Sequence, residues 1–182
     1  MRAKRTHAPM RPWPVIEQFP RLALHGGTAI NLFYRPLPRL SVDIDLTWTT
    51  IGERNQDLKA IQNTLRSLQE ILRTKIPNSQ LLLNETQSGI YKLYCQKERA
   101  QVKVEVNTIN RGLLEPAQRR LLHPGAEEFL DQFCEAKIVS YSQLFGGKLI
   151  AALDRQHPRD IFDVMELLNS DGYTPLLHRG FL

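Results

Sequence analysis

The sequence predicts an α/β or α+β fold with a helical C-terminal segment, because strand-like patterns dominate its middle and helical patterns dominate its end. Its 182 residues are enough for one domain with a sizeable hydrophobic core. Hydrophobic residues make up 42% and charged residues 24% of the chain, a composition typical of folded globular proteins. We place the core at residues 1–135 and the helical C-terminal segment, expected to complete a functional site, at residues 136–182.

The first predicted elements lie around a pair of glycines. Residues 21–25 have the apolar run of a short strand, which ends at Gly26 and Gly27. A short helix is expected over residues 28–34, where two nearby prolines stop it. Residues 41–48 then alternate between apolar and polar side chains, with Val42 on the apolar face, as in a strand with one buried face.

The rest of the chain separates into a long helix, several strands and a pair of helices. Apolar residues recur at three- and four-residue steps over residues 54–74, which predicts an amphipathic helix. Residues 101–109 alternate cleanly, with valines on one face and polar side chains on the other. The other predicted elements are strands at 79–84, 89–95 and 136–139, a loop at 111–125, and helices at 140–156 and 158–170.

Composition and charge narrow the class of protein. Cys95 and Cys134 are too few for a disulfide framework, and no cysteine or histidine cluster has zinc-ligand spacing. The basic N-terminus lacks the apolar run of a signal peptide, and no stretch approaches the roughly 18 apolar residues of a membrane span. These observations predict a cytoplasmic protein that has no membrane partner. The net charge of +5 and the pI near 9.4 favour an anionic partner.

Two aspartates interrupt the strand at 41–48. Period-two geometry places Asp43 and Asp45 on one face of the sheet, with Cα atoms about 7 Å apart, where they repel each other unless a cation lies between them. Oxygen ligands on a rigid strand suit Mg²⁺ or Mn²⁺ that also bind substrate phosphates. If the strand at 101–109 is a neighbour, Glu105 joins them, and three carboxylates would hold two metals. The alternative is that these acids form the solvated side of a half-exposed sheet.

The glycine turn upstream favours the metal-site interpretation. Glycines at the start of a helix let backbone N–H groups approach an anion closely, and the helix N-terminus adds partial positive charge. Thr28 would either cap the helix or offer its hydroxyl to a phosphate. Gly26, Gly27 and Thr28 are therefore candidate phosphate-binding residues beside a candidate metal site, although many such glycine pairs are only turns.

A known family shares this combination of motifs. The stretch "GGTAINLFYRPLPRLSVDIDL" resembles the signature of AbiEii/AbiGii-type toxin nucleotidyltransferases, within the DNA polymerase beta-like superfamily. The family pattern is Gly-Gly-(Thr or Ser), a short helix, then Arg-x-Ser-x-Asp-x-Asp, which here places Arg39 and Ser41 ahead of the two aspartates. Glu105 in "VKVEVN" matches the third carboxylate, more often aspartate in the superfamily. The resemblance spans most of residues 21–168.

The C-terminal segment carries a second motif of the same family. "LFGGKLIAALDRQHPRDIFDVMEL" is similar to the family's pattern of a helical lysine, an arginine and then Arg-Asp-x-x-Asp. The matching residues are Lys148, Arg155, Arg159, Asp160 and Asp163. The lysine and the first arginine lie two helical turns apart on one face, where they would neutralise a triphosphate or form a solvated basic stripe. Two glycines just before the lysine predict a bend or a late helix start.

The resemblance implies a nucleotidyltransferase fold, with a small mixed sheet, helices on one side and a cleft on the other. It implies an enzyme that moves a nucleoside monophosphate from an NTP to an acceptor hydroxyl, and Mg²⁺ or Mn²⁺ as cofactor. Asp43, Asp45 and Glu105 would bind metal, and the glutamate would also help deprotonate the acceptor. The nucleotide would be held by Gly26, Gly27, Thr28, Arg39, Ser41, Lys148 and Arg155. Arg159, Asp160 and Asp163 are possible supporting residues, the middle one being either catalytic or a structural partner of an arginine.

The acceptor and the biological role are the finest of these expectations. The resemblance implies a toxin paired with an antitoxin encoded nearby. Because some relatives add nucleotides to tRNA 3′ ends, the predicted acceptor is RNA, at the 3′ end of tRNA. Basic residues suited to its phosphates are Arg2, Lys4, Arg5, Arg11, Arg111, Arg119 and Arg120. Two alternatives remain open: transfer to a small molecule such as an antibiotic, and a non-catalytic nucleotide- or RNA-binding module.

Overall fold

A computed structural model describes residues 12–41, 43–86 and 89–182. The elements, in chain order, are α1 (Trp13–Ile16), β1 (Leu22–His25), α2 (Gly26–Ala29) with a π-helical extension (Ile30–Tyr34), β2 (Ile44–Trp48), α3 (Arg54–Lys75), β3 (Gln80–Thr86), β4 (Gly89–Lys97), β5 (Ala100–Asn107), β6 (Gln118–Leu121), α4 (Pro124–Leu130), β7 (Glu135–Ile138), α5 (Tyr141–Arg155), α6 (Pro158–Ser170) and α7 (Pro175–Phe181). Val42 and the basic residues at 2, 4, 5 and 11 lie outside the described residues.

The strands form one seven-stranded mixed sheet in the order β3-β4-β5-β2-β1-β7-β6. β2 runs parallel to β5, and β1 runs parallel to β7, while the other neighbours are antiparallel. The predicted mixed α/β architecture is therefore confirmed. Since β2 and β5 lie side by side at the centre of the sheet, the polar side chains that alternate along them share one face.

The opposite face of the sheet carries the main hydrophobic core. The long helix α3 covers it with a stripe at helical spacing, and Ile61, Leu65, Leu68 and Leu72 are fully buried. Glu53 caps this helix by accepting hydrogen bonds from the backbone N–H groups of residues 55 and 56. Apolar side chains on β1, β2, β4 and β5 complete the core. This packing fixes which face of each strand is left for polar residues.

Helix α5 covers only part of the polar face of the sheet. Gly147 of α5 lies beside His25 at the end of β1, where a Cβ atom would sit 3.4 Å from the imidazole. Gly146 lies against the backbone of Gly180 in α7, and a Cβ atom there would come within 2.1 Å of the carbonyl oxygen. The prediction that these glycines bend or delay the helix is wrong, because α5 is continuous and they permit close packing.

Four short elements were not predicted from the sequence. One of them, the four-residue helix α1, lies ahead of β1. The predicted loop at 111–125 contains β6 and the start of α4, and α7 follows α6 near the end of the chain. β6 is a four-residue edge strand, "QRRL", which has no apolar alternation to reveal it. The helices α4 and α7 have seven residues each, too short for a clear periodicity. Within the described residues, no helix combines the length and apolar character needed to cross a membrane.

Candidate active site

The predicted carboxylates meet on the polar face of the sheet. Asp45 on β2 lies in register with Glu105 on the neighbouring β5 and opposite His25 on β1. Asp43 lies two residues before Asp45, just ahead of the strand. All four side chains line a cleft of about 860 Å³ between the sheet and α5. The condition on which the sequence analysis placed Glu105 beside the aspartates, that the two strands are neighbours, is met.

Two lysines that the sequence analysis did not select accompany the carboxylates. Lys103 Nζ lies 2.8 Å from Glu105 Oε2 and 3.9 Å from Asp43 Oδ2, and Lys92 Nζ lies 3.1 Å from Glu105 Oε1. Burial raises the pKa of Glu105, but hydrogen bonds and charges from both lysines outweigh it, so the pKa lies below its usual range. We call this set the sheet wall: Asp43, Asp45, Lys92, Lys103 and Glu105.

Asp45 is held against the glycine turn. Gly26 has a φ of +73°, and a Cβ atom there would lie 2.5 Å from Asp45 Oδ2. Glycine is therefore required both by the backbone conformation and by the approach of the carboxylate. Burial raises the pKa of Asp45, the charge of Lys103 opposes this rise, and the charges of Glu105 and Asp43 add to it.

The rest of the glycine motif positions the residue before β2. The short helix begins at Gly26, so the prediction that Thr28 caps it is wrong. Thr28 is instead buried, and its hydroxyl donates to the backbone carbonyl of Asp43 and lies 3.0 Å from Ser41 Oγ. A Cβ atom on Gly27 would lie 2.7 Å from Arg39 Nη2, so this glycine makes room for the arginine.

The second predicted motif and Arg39 of the first form a chain of ion pairs with a buried centre. We call it the ion-pair ladder: Arg39, Asp163, Lys148, Asp160 and Arg155. Arg39 Nε and Nη2 lie 2.8 and 2.5 Å from the carboxylate of Asp163. Lys148 Nζ lies 3.2 Å from the same carboxylate and 2.7 Å from Asp160. The lysine and both aspartates are at most 7% exposed.

The outer end of the ladder reaches the solvent. Arg155 is 63% exposed, and its Nε donates to Asp160 Oδ2 at 2.6 Å. Burial raises the pKa of Asp160, but hydrogen bonds from Arg155 and Lys148 outweigh it and lower the pKa. Of the two roles left open for Asp160, the geometry favours the structural one, since both its oxygens bind cations of the ladder. Arg159 is exposed at the rim of the same cleft.

His25 belongs to the site and was missed by sequence reasoning. Burial, and to a smaller extent the nearby charge of Lys148, lower the pKa of its imidazole to about 4. Its Nδ1 atom is buried and has no hydrogen-bond partner among the described residues. His25 is therefore neutral at physiological pH. The one signal in the sequence was its position directly before the glycine pair. The pairing of β1 with β2, which places it opposite Asp45, could not be predicted from the local sequence.

The arginines predicted to guide RNA after β5 are already engaged. Arg111 pairs with Asp57 at 2.5 Å, and Arg119 with Glu135 at 2.7 Å. Arg120 stacks over the ring of Tyr34 at 4.0 Å. The strand β6, which carries the last two arginines, lies four positions from β5 at the far edge of the sheet. Arg119 and Arg120, proposed from the sequence as contacts for RNA phosphates, therefore lie on a strand far from the one that carries Glu105.

The donor set of the sheet wall fits a metal that binds together with a phosphate. Asp43 and Asp45 supply hard oxygen donors two residues apart at the start of β2, and the Asp43 side chain, which lines the cleft, is 44% exposed. Glu105 is occupied by its lysines, and within the part of the chain that the structure describes no group of three or more His, Cys, Asp or Glu residues has a metal-binding arrangement. The two aspartates are the residues that suit Mg²⁺ or Mn²⁺.

Comparisons with known proteins were made on both sequence and fold. The family model described as "Nucleotidyl transferase AbiEii toxin, Type IV TA system" matches residues 11–182. Among solved structures, the chain is similar to MenT4, a nucleotidyltransferase toxin from Mycobacterium tuberculosis H37Rv, with a TM-score of 0.63 and 16% sequence identity. The alignment covers 96% of this chain but 60% of that one. At 16% sequence identity, this likeness shows the fold alone. No curated protein gives a significant match.

Proposed function

The chain belongs to the AbiEii family of nucleotidyltransferase toxins of type IV toxin–antitoxin systems. We propose that it transfers a nucleoside monophosphate from an NTP to a hydroxyl group of RNA, at the 3′ end of tRNA. The observation that carries this proposal is the position of three acids in one open cleft. Asp45 lies in register with Glu105 on the neighbouring strand, and Asp43 lies two residues before Asp45. Three acids gathered at one point of a sheet, of which Asp45 makes no ion pair within 4 Å among the described residues, favour a cation-binding site.

Asp43 and Asp45 are the residues that would hold the divalent cation. When bound, Mg²⁺ or Mn²⁺ supplies charge stabilisation for the phosphoryl group that is transferred. Thr28 fixes the backbone of Asp43, and the glycine turn fixes the carboxylate of Asp45, so both acids are pre-positioned. The low pKa of Glu105 makes it a poor proton acceptor, which argues against our sequence-based expectation that it deprotonates the acceptor.

The ion-pair ladder forms the opposite wall of the cleft. Lys148 places a buried ammonium group beside the site, and its charge acts on both Asp45 and His25. The exposed guanidinium groups of Arg155 and Arg159 lie further out along the same cleft. These three cations would offset the charge of the triphosphate and of the pyrophosphate that leaves. Gly26, Gly27 and Ser41 complete the lining between the two walls.

The uncovered part of the sheet supports an extended acceptor. Lys103, Tyr94 and Leu82 lie side by side across β5, β4 and β3, on the face that carries Glu105. Leu82 is 66% exposed. Aromatic and aliphatic side chains next to a lysine form a surface on which unpaired bases stack. Such a strand would lead its terminal hydroxyl to the carboxylates. The net charge of +5 also favours RNA.

Transfer of label from each of the four NTPs tests this proposal. The acceptors are total RNA, purified tRNA with intact and trimmed 3′ ends, and a panel of aminoglycosides, each with and without Mg²⁺. The proposal expects label on RNA only when Mg²⁺ is present, and none with the Asp43→Asn, Asp45→Asn double variant. RNA affinity should fall steeply as salt rises. Label on an aminoglycoside and on no RNA would replace RNA with a small-molecule acceptor.

A pair of tyrosine variants locates the acceptor. Tyr94→Ala should weaken RNA binding by roughly tenfold, because one stacking platform is lost, and should leave NTP binding unchanged. Tyr173→Ala is the matched control, since Tyr173 is an exposed tyrosine on the far helical segment. Equal RNA affinity of the two variants would remove the open sheet face from the proposal.

As a toxin of this family, the protein would be neutralised by an antitoxin encoded nearby.

A further inference from the structure

Lys103 lies among the carboxylates of the sheet wall. It is two residues before Glu105 on β5, so both side chains lie on the same face. Its ammonium group is 2.8 Å from Glu105 and 3.9 Å from Asp43, and the side chain is 27% exposed. Burial lowers the pKa of Lys103, but Glu105, Asp43 and Asp45 together outweigh it and raise the pKa. The lysine is therefore the charged partner of the acids assigned to the metal.

The two lysines at the centre of the cleft differ in what their release would cost. Lys148 is 7% exposed between Asp160 and Asp163, and moving it would leave two buried carboxylates short of a cation. Moving Lys103 leaves Glu105 with its second partner, Lys92, at 3.1 Å, and leaves Asp43 facing water. Lys103 is thus the lysine that can change partner at low cost.

We propose that Lys103 is an exchangeable counter-ion, which neutralises Asp43 and Glu105 before substrate binds and moves to the triphosphate when a metal–NTP complex enters. This inference rests on the proposed function. A divalent cation at Asp43 and Asp45 and the ammonium group of Lys103 compete for the same negative charge. The phosphates then give the displaced ammonium a new partner, so metal and nucleotide bind with positive coupling.

Binding of Mn²⁺ in the absence of nucleotide and RNA tests the first half of the proposal. Lys103→Gln should bind Mn²⁺ about tenfold more tightly than the wild-type chain, because a competing charge about 4 Å away is gone. Lys103→Arg keeps the charge and should bind as weakly as the wild type. Lys92→Gln is the matched control: it removes a lysine from the same carboxylate, Glu105, but no contact with Asp43, and should change the affinity less than about threefold.

Binding of a non-hydrolysable NTP analogue at saturating Mn²⁺ tests the second half. Lys103→Gln should weaken it about tenfold or more, and Lys92→Gln by much less. The inference is overturned if Lys103→Gln has the same nucleotide-free Mn²⁺ affinity as the wild type, or if neither of these two proteins binds Mn²⁺. It is also overturned if Lys103→Gln binds the NTP analogue as tightly as the wild type. Loss of the inference alone leaves RNA labelling by the wild type intact, whereas failure of the proposed function shows as no labelling of any acceptor. Circular dichroism and melting curves confirm that each variant is folded.

Discussion

The two walls of the cleft use the same residue types in opposite ways. In the ion-pair ladder, Lys148, Asp160 and Asp163 are at most 7% exposed, and each carboxylate binds two cations. In the sheet wall, Lys103 and Glu105 are 27% and 30% exposed, and Asp43 has a lysine only at 3.9 Å. A buried pair is costly to break, whereas a partly exposed pair contributes at most about 1 kcal/mol. Deep burial therefore makes the ion-pair ladder a scaffold. The greater exposure of the sheet wall lets its side chains exchange partners.

The largest effect is expected from breaking the ladder. Asp163→Ala removes the carboxylate that joins Arg39, Lys148 and the side-chain amide of Asn31. The loss leaves buried cations without a partner, so the free energy of unfolding should fall by about 3–5 kcal/mol. Urea denaturation at pH 7 measures this change. Asp154→Ala, an exposed aspartate near the same wall, is the control and should alter stability by less than about 0.5 kcal/mol. Equal effects would contradict the scaffold role.

A second prediction concerns His25, which lies opposite Asp45 of the sheet wall and is close enough to Lys148 of the ladder for its pKa to respond to that charge. Its pKa of about 4 lies below that of the unfolded chain, so the unfolded state takes up the proton first as the pH falls below 6.5. The fold should thereby lose roughly 3 kcal/mol between pH 6.5 and about pH 4. His25→Gln should show a flatter stability profile over this window. The exposed His178→Gln should keep the wild-type profile, and a profile equally steep in all three proteins would exclude His25 as its source.

Two adjacent glycines in α5 sharpen the comparison at smaller effects. Gly146→Ala would push a methyl group into the backbone of Gly180 and should destabilise the fold by about 1–3 kcal/mol. Gly147→Ala places its methyl group at ordinary contact distance from His25 and should gain up to about 1 kcal/mol from helix propensity. Melting temperatures that shift in opposite directions are the expected result. A stabilising Gly146→Ala would mean that α5 and α7 do not pack closely.

Much of the sheet wall was predictable because strand alternation is a local signal. The valines of β5 and the apolar residues of β2 fixed the faces of Glu105 and Asp45, and only their adjacency needed the folded structure. The same alternation also places Lys103 on the face of Glu105, so this lysine could have been found from the sequence. Its contact with Asp43, in contrast, crosses from β5 to the start of β2 and is visible only in the folded structure.

The ladder was less predictable, because it depends on contacts between distant segments. The spacing of Lys148 and Arg155 showed a shared helix face, but not that two aspartates of α6 would bury the lysine. The partner of Arg39 lies 124 positions away in the chain. The glycines beside Lys148 were misread for the same reason, since the backbone of Gly180 is visible only once α7 is in place. Tertiary contacts, rather than helix propensity, decide these positions.

The most direct test of the account is to measure transfer and stability together for Asp45→Asn. The carboxylate assigned to the metal is lost, so transfer to RNA should fall by about a thousandfold or more. Burial and the charges of Glu105 and Asp43 raise the pKa of Asp45, so its charged carboxylate lowers the stability of the fold at pH 7, and the melting temperature of Asp45→Asn should be higher than that of the wild type there. This gain should shrink as the pH falls and the carboxyl group takes up a proton. Undiminished transfer by a well-folded Asp45→Asn protein would contradict the proposal that the aspartates of the sheet wall bind the catalytic metal.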